Sequence, residues 1–161
     1  KNLKKIKEEF DYPIIPCSAE AELALREAAK EDKIDYVPGE DNFEIKGELN
    51  DKQEKGLEFV KNYLKEHGST GVQKVLNYTV LEMLNYIAVF PVASKKMKDK
   101  EGNILPDCHL LPQSSTAQDL AYQIHQDFGD NFVKAIDIKK NQAIGKDYEL
   151  SHRDIIQIMT D

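Results

Sequence analysis

The sequence has no tryptophan, two cysteines and no long apolar run, and each shortage excludes something. Cys17 and Cys108 stand far apart with no CxxC or CxxH partner, so no zinc ribbon or dithiol redox pair can be written. Such sparse cysteine use fits a reducing, cytoplasmic setting better than a secreted disulfide scaffold. No stretch approaches the roughly 20 apolar residues that span a bilayer, so no membrane contact is expected. The opening KNLKKIKEEF mixes basic and acidic residues and lacks an apolar stretch, so it is not expected to be a secretory leader. Positive charge is also in the minority: 22 Lys and Arg against 29 Asp and Glu leave a net charge of −7. Nucleic acid is therefore not drawn to the chain as a whole, and any RNA contact needs a local basic patch. The phosphate-cradle pattern G-x-x-x-x-G-K-[ST] is missing, and so is N-K-x-D.

What is present divides into three regions of an α+β chain. In the first, residues 1–35, Leu3, Ile6 and Phe10 lie at helical spacing until Asp11-Tyr12-Pro13 breaks the helix, because a residue before proline is pushed out of the α region. Ile14 and Ile15 then predict a short strand. Ser18 is a good N-cap for a helix whose first turn carries Glu20 and Glu22 and whose apolar positions are Leu23, Leu25 and Ala28.

Residues 36–86 begin with a stretch, YVPGEDNFEIKGELN, that shows no period and predicts a connecting loop. A helix with the stripe Leu57, Val60 and Leu64 follows, closed by His67-Gly68. Thr70-x-x-Gln73 predicts a capping box for the next helix, whose apolar face is Val72, Val75, Leu76, Val80, Met83 and Leu84. So short a connection predicts an antiparallel helical hairpin.

Residues 87–161 switch to strand logic. Ile87–Val92 and His109–Leu111 predict a hairpin around the charged turn KKMKDKEGN. Thr116-x-x-Asp119 opens a helix with Ala117, Leu120, Ala121, Ile124 and Phe128 as its buried stripe and Gly129 as its end. Val133–Ile138 and Ile155–Ile158 predict two more strands. The order ββαββ is that of a β-grasp, one helix across a mixed sheet.

Candidate site residues each have a plain structural alternative. Ser18 has no His or acid at a triad spacing, so a nucleophile is unsupported and a bare N-cap suffices. Cys17 reads as a small buried residue at a strand end, since no neighbour would lower its pKa. Cys108, His109, His125 and His152 match no zinc spacing, so no metal is expected. His125 reads as a half-buried histidine near a helix end, or second as a ligand or RNA contact. Lys95, Lys96, Lys98 and Lys100, with Lys134, Lys139 and Lys140, form two basic clusters that are either solvated faces or the patch a phosphate backbone would meet.

The stretches VFPVAS (89–94), LLPQSSTAQDLAYQIHQDFGDNF (110–132), KAIDIKKNQAIGKDYEL (134–150) and SHRDIIQIM (151–159) resemble the TGS domain, with Ser114 standing where that family usually has glycine. PIIPCSAEAEL and GSTGVQKVLNYTVLEMLNYIAVFPV (68–92) resemble the C-terminal half of Obg-like GTPases of the YchF type, archaeal branch. The resemblance implies that residues 1–35 are the last strand and helix of a P-loop GTPase α/β domain, 36–86 a loop and helical hairpin, and 87–161 a β-grasp TGS domain. It makes Ser18-Ala19 the base-side "S/T-A" turn of a nucleotide site, with the Ala19 N–H on the base and Glu20 beside it. In that family the N-K-x-D element lies a few residues ahead of the position of Lys1. The chain alone is then not expected to hydrolyse nucleotide, while a larger parent would use Mg²⁺ and GTP or ATP. TGS implies a ribosome or RNA partner, with Lys95, Lys96, Lys98, Lys139, Lys140 and His125 as contacts. The rival reading is a free-standing β-grasp adaptor for a protein or small ligand.

Overall fold

A computed structural model describes residues 2–99, 101–105 and 107–161, and the chain divides into two units, Lys1–Thr79 and Val80–Asp161. In the first unit, α1 (Asn2–Glu9) stops ahead of Pro13 and buries no residue. The strand expected at Ile14–Ile15 does not form. Pro13 and Pro16 lack the N–H a ladder needs, and among the described residues no strand pairs with this segment. Ser18 does cap α2 (Ala19–Lys30), its Oγ accepting the Ala21 N–H at 3.3 Å.

Residues 36–50 are not all loop. The strand β1 (Ile34–Asp35) pairs antiparallel with β2 (Glu44–Ile45), a ribbon too short to show a period in sequence. A complete capping box opens α3 (Asp51–His67): Asn50 accepts from the amides of Lys52 and Gln53, and the Gln53 side chain accepts the Asn50 N–H. Gly68 closes it in the left-handed conformation, φ 79°. The core joins Ala21 and Leu25 of α2 to Leu57, Val60 and Leu64 of α3, with Ile34 and Tyr36.

The expected α3–α4 hairpin is corrected by this packing, because the α3 stripe is already buried with α2. The short α4 (Val72–Asn77) runs into a π-helical turn, Tyr78–Met83, and neither buries a residue. Leu76, Met83 and Leu84, read as core, are 51–65% exposed. Thr70 does not cap α4 either. Gly71, at φ 82°, takes the N-cap position with no side-chain bond.

The second unit is a β-grasp. Strands β3 (Tyr86–Pro91) and β4 (His109–Pro112) form the predicted hairpin, followed by α5 (Ala117–Ile124), α6 (Gln126–Asp130), β5 (Phe132–Asp137), β6 (Gln142–Ile144) and β7 (Ile155–Thr160). The sheet order is β4-β3-β7-β5-β6, with β3 and β7 parallel at its centre. Leu120 and Ala117 of α5 lie on Val89, Leu111, Ala135 and Ile156. Thr116 and Asp119 make the predicted box, Thr116 Oγ1 accepting the Asp119 N–H while Asp119 Oδ2 accepts the Thr116 N–H.

Two details differ. The helix breaks at His125, not Gly129, and Gly129 lies buried inside α6 because the Tyr122 ring covers it: a Cβ there would sit 2.1 Å from the ring. Phe128, expected in the stripe, is 41% exposed on that second helix. Ser114 adopts φ 67°, the conformation in which glycine carries no Cβ penalty.

Candidate functional site

The Pro16–Glu22 turn carries the first candidate residues. Ser18 is extended at φ −114°, half-buried, and donates its N–H to the Thr70 carbonyl at 2.8 Å. Ala19 and Glu20 are exposed, and among the described residues no protein acceptor lies on either N–H. Two unpartnered amides at a helix N-terminus, where the helix dipole is positive, suit an electronegative ligand atom. The turn also borders a cleft of about 590 Å³ lined by α2 and α3, with Ser18, Glu20, Ala24, Leu57 and Val60 among its walls. Cys17, expected to be buried, is exposed because no strand encloses it.

Behind the turn stands a group that the sequence reading missed. Glu22 is 4% exposed. Its Oε1 accepts from Arg26 Nε at 2.7 Å, and its Oε2 accepts from Tyr36 Oη at 2.9 Å and Thr70 Oγ1 at 2.6 Å. Burial pushes this carboxyl's pKa up, but the bonds from Thr70, Arg26 and Tyr36 outweigh it and hold it below the usual value. Burial and the Glu22 bond push the Tyr36 phenol the other way, upward. The available signal was the helical wheel: Glu22 shares a face with Ala21 and Leu25, whereas Leu23, read as core, is 57% exposed.

The basic candidates lie in the second unit, and the fold brings Lys95 to the sheet end that carries Lys139 and Lys140, whereas Lys134, paired with Met159, lies toward the other end. Phe90 pairs with Ile155 and Asp137 with Ile156, so the segments after β3 and β5 and before β7 share one end of the sheet. There Lys95 Nζ donates to Asn141 Oδ1 at 2.6 Å, and Lys139 Nζ donates to the Arg153 carbonyl. Lys140 is engaged otherwise. Its ammonium bonds Tyr148 Oη at 2.7 Å and pairs with Oδ2 of fully buried Asp137 at 2.9 Å, and these two partners push its pKa upward. Lys96, Lys98 and Lys134 are exposed, and Lys100 lies outside the described residues.

His125 is mostly exposed, not half-buried. Its Nδ1 accepts the Asp127 N–H at 3.2 Å and so caps α6, and no described bond links it to the lysines. The spacing D-x-x-G, a phosphate-site pattern in GTPases, occurs at 99–102 but forms a turn in which Asp99 Oδ1 accepts the amides of Glu101 and Asn103. Among the described residues no cluster of three or more His, Cys, Asp or Glu is placed to hold a metal.

Residues 1–94 match the family described as Obg-like GTPase YGR210-like, G4 motif-containing domain. The chain belongs to this Obg-like family. Residues 96–160 match the TGS domain. One relative, the uncharacterized GTP-binding protein MJ1332 of Methanocaldococcus jannaschii, is 44% identical over 99% of this chain. A solved structure, the GTP binding protein from Pyrococcus horikoshii OT3, is 36% identical with a TM-score of 0.67, again over 99% of the chain. In both cases the chain spans 41% of the relative's length. The Ser18-Ala19 turn and the Glu22 cluster fall in the Obg-like segment, and the basic edge falls in TGS except for Lys95, which lies between the two matches.

Proposed function

We propose that the chain supplies the base-side wall of a nucleotide site, at Ser18, Ala19 and Glu20, within a larger Obg-like NTPase of the YchF type. The observation that carries this reading is the pair of unpartnered amides at Ala19 and Glu20, on a capped turn of the Obg-like segment. A purine oxygen accepting from the Ala19 N–H would gain an electrostatic bond at a helix N-terminus. The glycine-lysine phosphate cradle does not occur in this sequence. Hydrolysis of GTP or ATP with Mg²⁺ is accordingly proposed for the larger protein, as phosphoryl transfer by positioning and charge stabilisation.

Ala19→Pro tests this cleanly. Proline is tolerated at the first helical position, yet it deletes the N–H in question. In the intact gene product the variant is expected to bind GTP or ATP about tenfold more weakly with an unchanged melting temperature. Unchanged affinity would remove the Ala19 contact from the account.

The TGS unit is proposed to dock on RNA or the ribosome through Lys95, Lys96, Lys98 and Lys139. The placing of Lys95 and Lys139 at one sheet end supports this. Lys140 contributes less, its charge being shared with Asp137, and His125 is a separate outlier. A Lys95→Glu/Lys96→Glu/Lys98→Glu variant is expected to lose ribosome binding, and wild-type binding should weaken as salt rises. Ribosome binding identical to wild type would refute the patch.

A further inference from the structure

We infer that Thr70, Gly71 and Glu22 form a clamp that positions the Ser18-Ala19 turn, so that the connection between α3 and α4 sets nucleotide affinity without touching nucleotide. This rests on the reading of Ser18-Ala19 as the base-side turn.

Thr70 grips the turn at two points. Its carbonyl accepts the Ser18 N–H at 2.8 Å, and its hydroxyl donates to Glu22 at 2.6 Å. Those two residues bracket the first turn of α2, because the Glu22 N–H donates to the Ser18 carbonyl at 3.1 Å. Thr70 therefore holds both ends of the segment whose middle carries the free amides of Ala19 and Glu20. The hydroxyl is wholly buried, so water cannot replace it.

Gly71 brings the two backbones together. A Cβ there would lie 2.0 Å from the Pro16 carbonyl oxygen and 3.2 Å from Cys17 Cα, at a φ of 82° that side chains rarely adopt. Only glycine lets residues 70–71 lie directly on residues 16–17. Glu22 is fixed in turn by Tyr36, on the same carboxylate oxygen as Thr70, and by Arg26 on the other. A three-donor carboxylate within a low-dielectric interior has one arrangement, and the turn inherits it.

A simple N-cap would need none of this. Ser18 alone satisfies the Ala21 amide, whereas the clamp reaches 48 residues along the chain to fix the same turn. Such rigidity is what a binding group requires, since affinity falls when a donor must be ordered on binding. The residues concerned are positioning residues, acting through Ser18 and Ala19.

The test uses Thr70→Val, which keeps the shape and deletes the hydroxyl, and Thr70→Ser, which restores it. In the intact gene product, affinity is measured for GTP and ATP and for base-free ribose 5′-triphosphate, with amide exchange followed over residues 13–25. Thr70→Val is expected to weaken the base-bearing nucleotide about tenfold, to spare the base-free ligand, and to speed exchange at Ser18. Thr70→Ser should recover most of the loss. Equal losses for both ligands would mean general destabilisation and overturn the inference, as would unchanged affinity. If Thr70→Val does not fold, Tyr36→Phe removes the other donor from the same oxygen and carries the same expectation. A wild type that binds neither nucleotide overturns the underlying reading as well, and it does so before any substitution is made.

Discussion

The two units handle buried charge in opposite ways. In the β-grasp, Asp137 and Asp154 are buried acceptors with partners close in sequence: Asp137 Oδ1 takes the amide of Lys140, and Asp154 Oδ2 takes that of Ser151, each three residues away. In the first unit, Glu22 takes its donors from 4, 14 and 48 residues away. A local partner shapes one loop. A distant one ties three segments together, and in this chain it ties them behind the turn proposed to meet a nucleotide base.

Breaking the distant set should cost most. Glu22→Ala leaves the Tyr36 and Thr70 hydroxyls without their buried acceptor, and chemical denaturation of the first unit is expected to show a loss of about 3 kcal/mol. A loss below about 1 kcal/mol would show that water fills the gap. In the β-grasp, Lys140→Met strips the ion-pair partner from Asp137. Because the Lys140 side chain is 49% exposed, that loss should be smaller than the one at Glu22, and Asp137→Asn in the same background should restore part of it.

Acid should weaken both units. Burial raises the Asp137 pKa, but the amide and ammonium of Lys140 outweigh it, so this carboxyl, like that of Glu22, sits below its ordinary value in the fold. The unfolded chain then binds protons first as pH falls, so stability present above the ordinary values of 4.5 for Glu22 and 3.8 for Asp137 is lost below them. Melting curves from pH 6 to pH 2 are expected to show this decline. Glu22→Gln should flatten it in the first unit alone, and Asp137→Asn in the second alone. The smallest change is a gain. Ser114 stands at φ 67°, so Ser114→Gly should raise the stability of the β-grasp by up to about 1 kcal/mol, and a lowered melting temperature would contradict that.

The same contrast governs what the sequence disclosed. The Ser18 cap, the Gly68 stop, the Thr116–Asp119 box and the β3–β4 hairpin are local or periodic, and each was legible. Thr70 misled because its spacing to Gln73 imitates a capping box, while its real partner is Glu22 in another helix. Ile14–Ile15 misled because an apolar pair between prolines has the composition of a strand but no strand beside it here. Gly129 misled because what it admits is an aromatic ring, not a chain reversal. The Ser18-Ala19 turn was visible as a cap, and the nucleotide role proposed for it came from the family resemblance; the bonds from Thr70 and Tyr36 behind it belong to tertiary structure.

The most direct measurement watches one amide. Ser18-Ala19 is the single Ser-Ala pair in this sequence, so carbonyl-13C serine with 15N alanine picks out the Ala19 N–H within it, and in the intact gene product the signal that Ala19→Pro abolishes is the one to follow. Titrating the intact gene product with GTP or ATP is expected to move that signal, in step with nucleotide binding followed independently. A signal that stays still while nucleotide binds would contradict the placing of a base at Ala19.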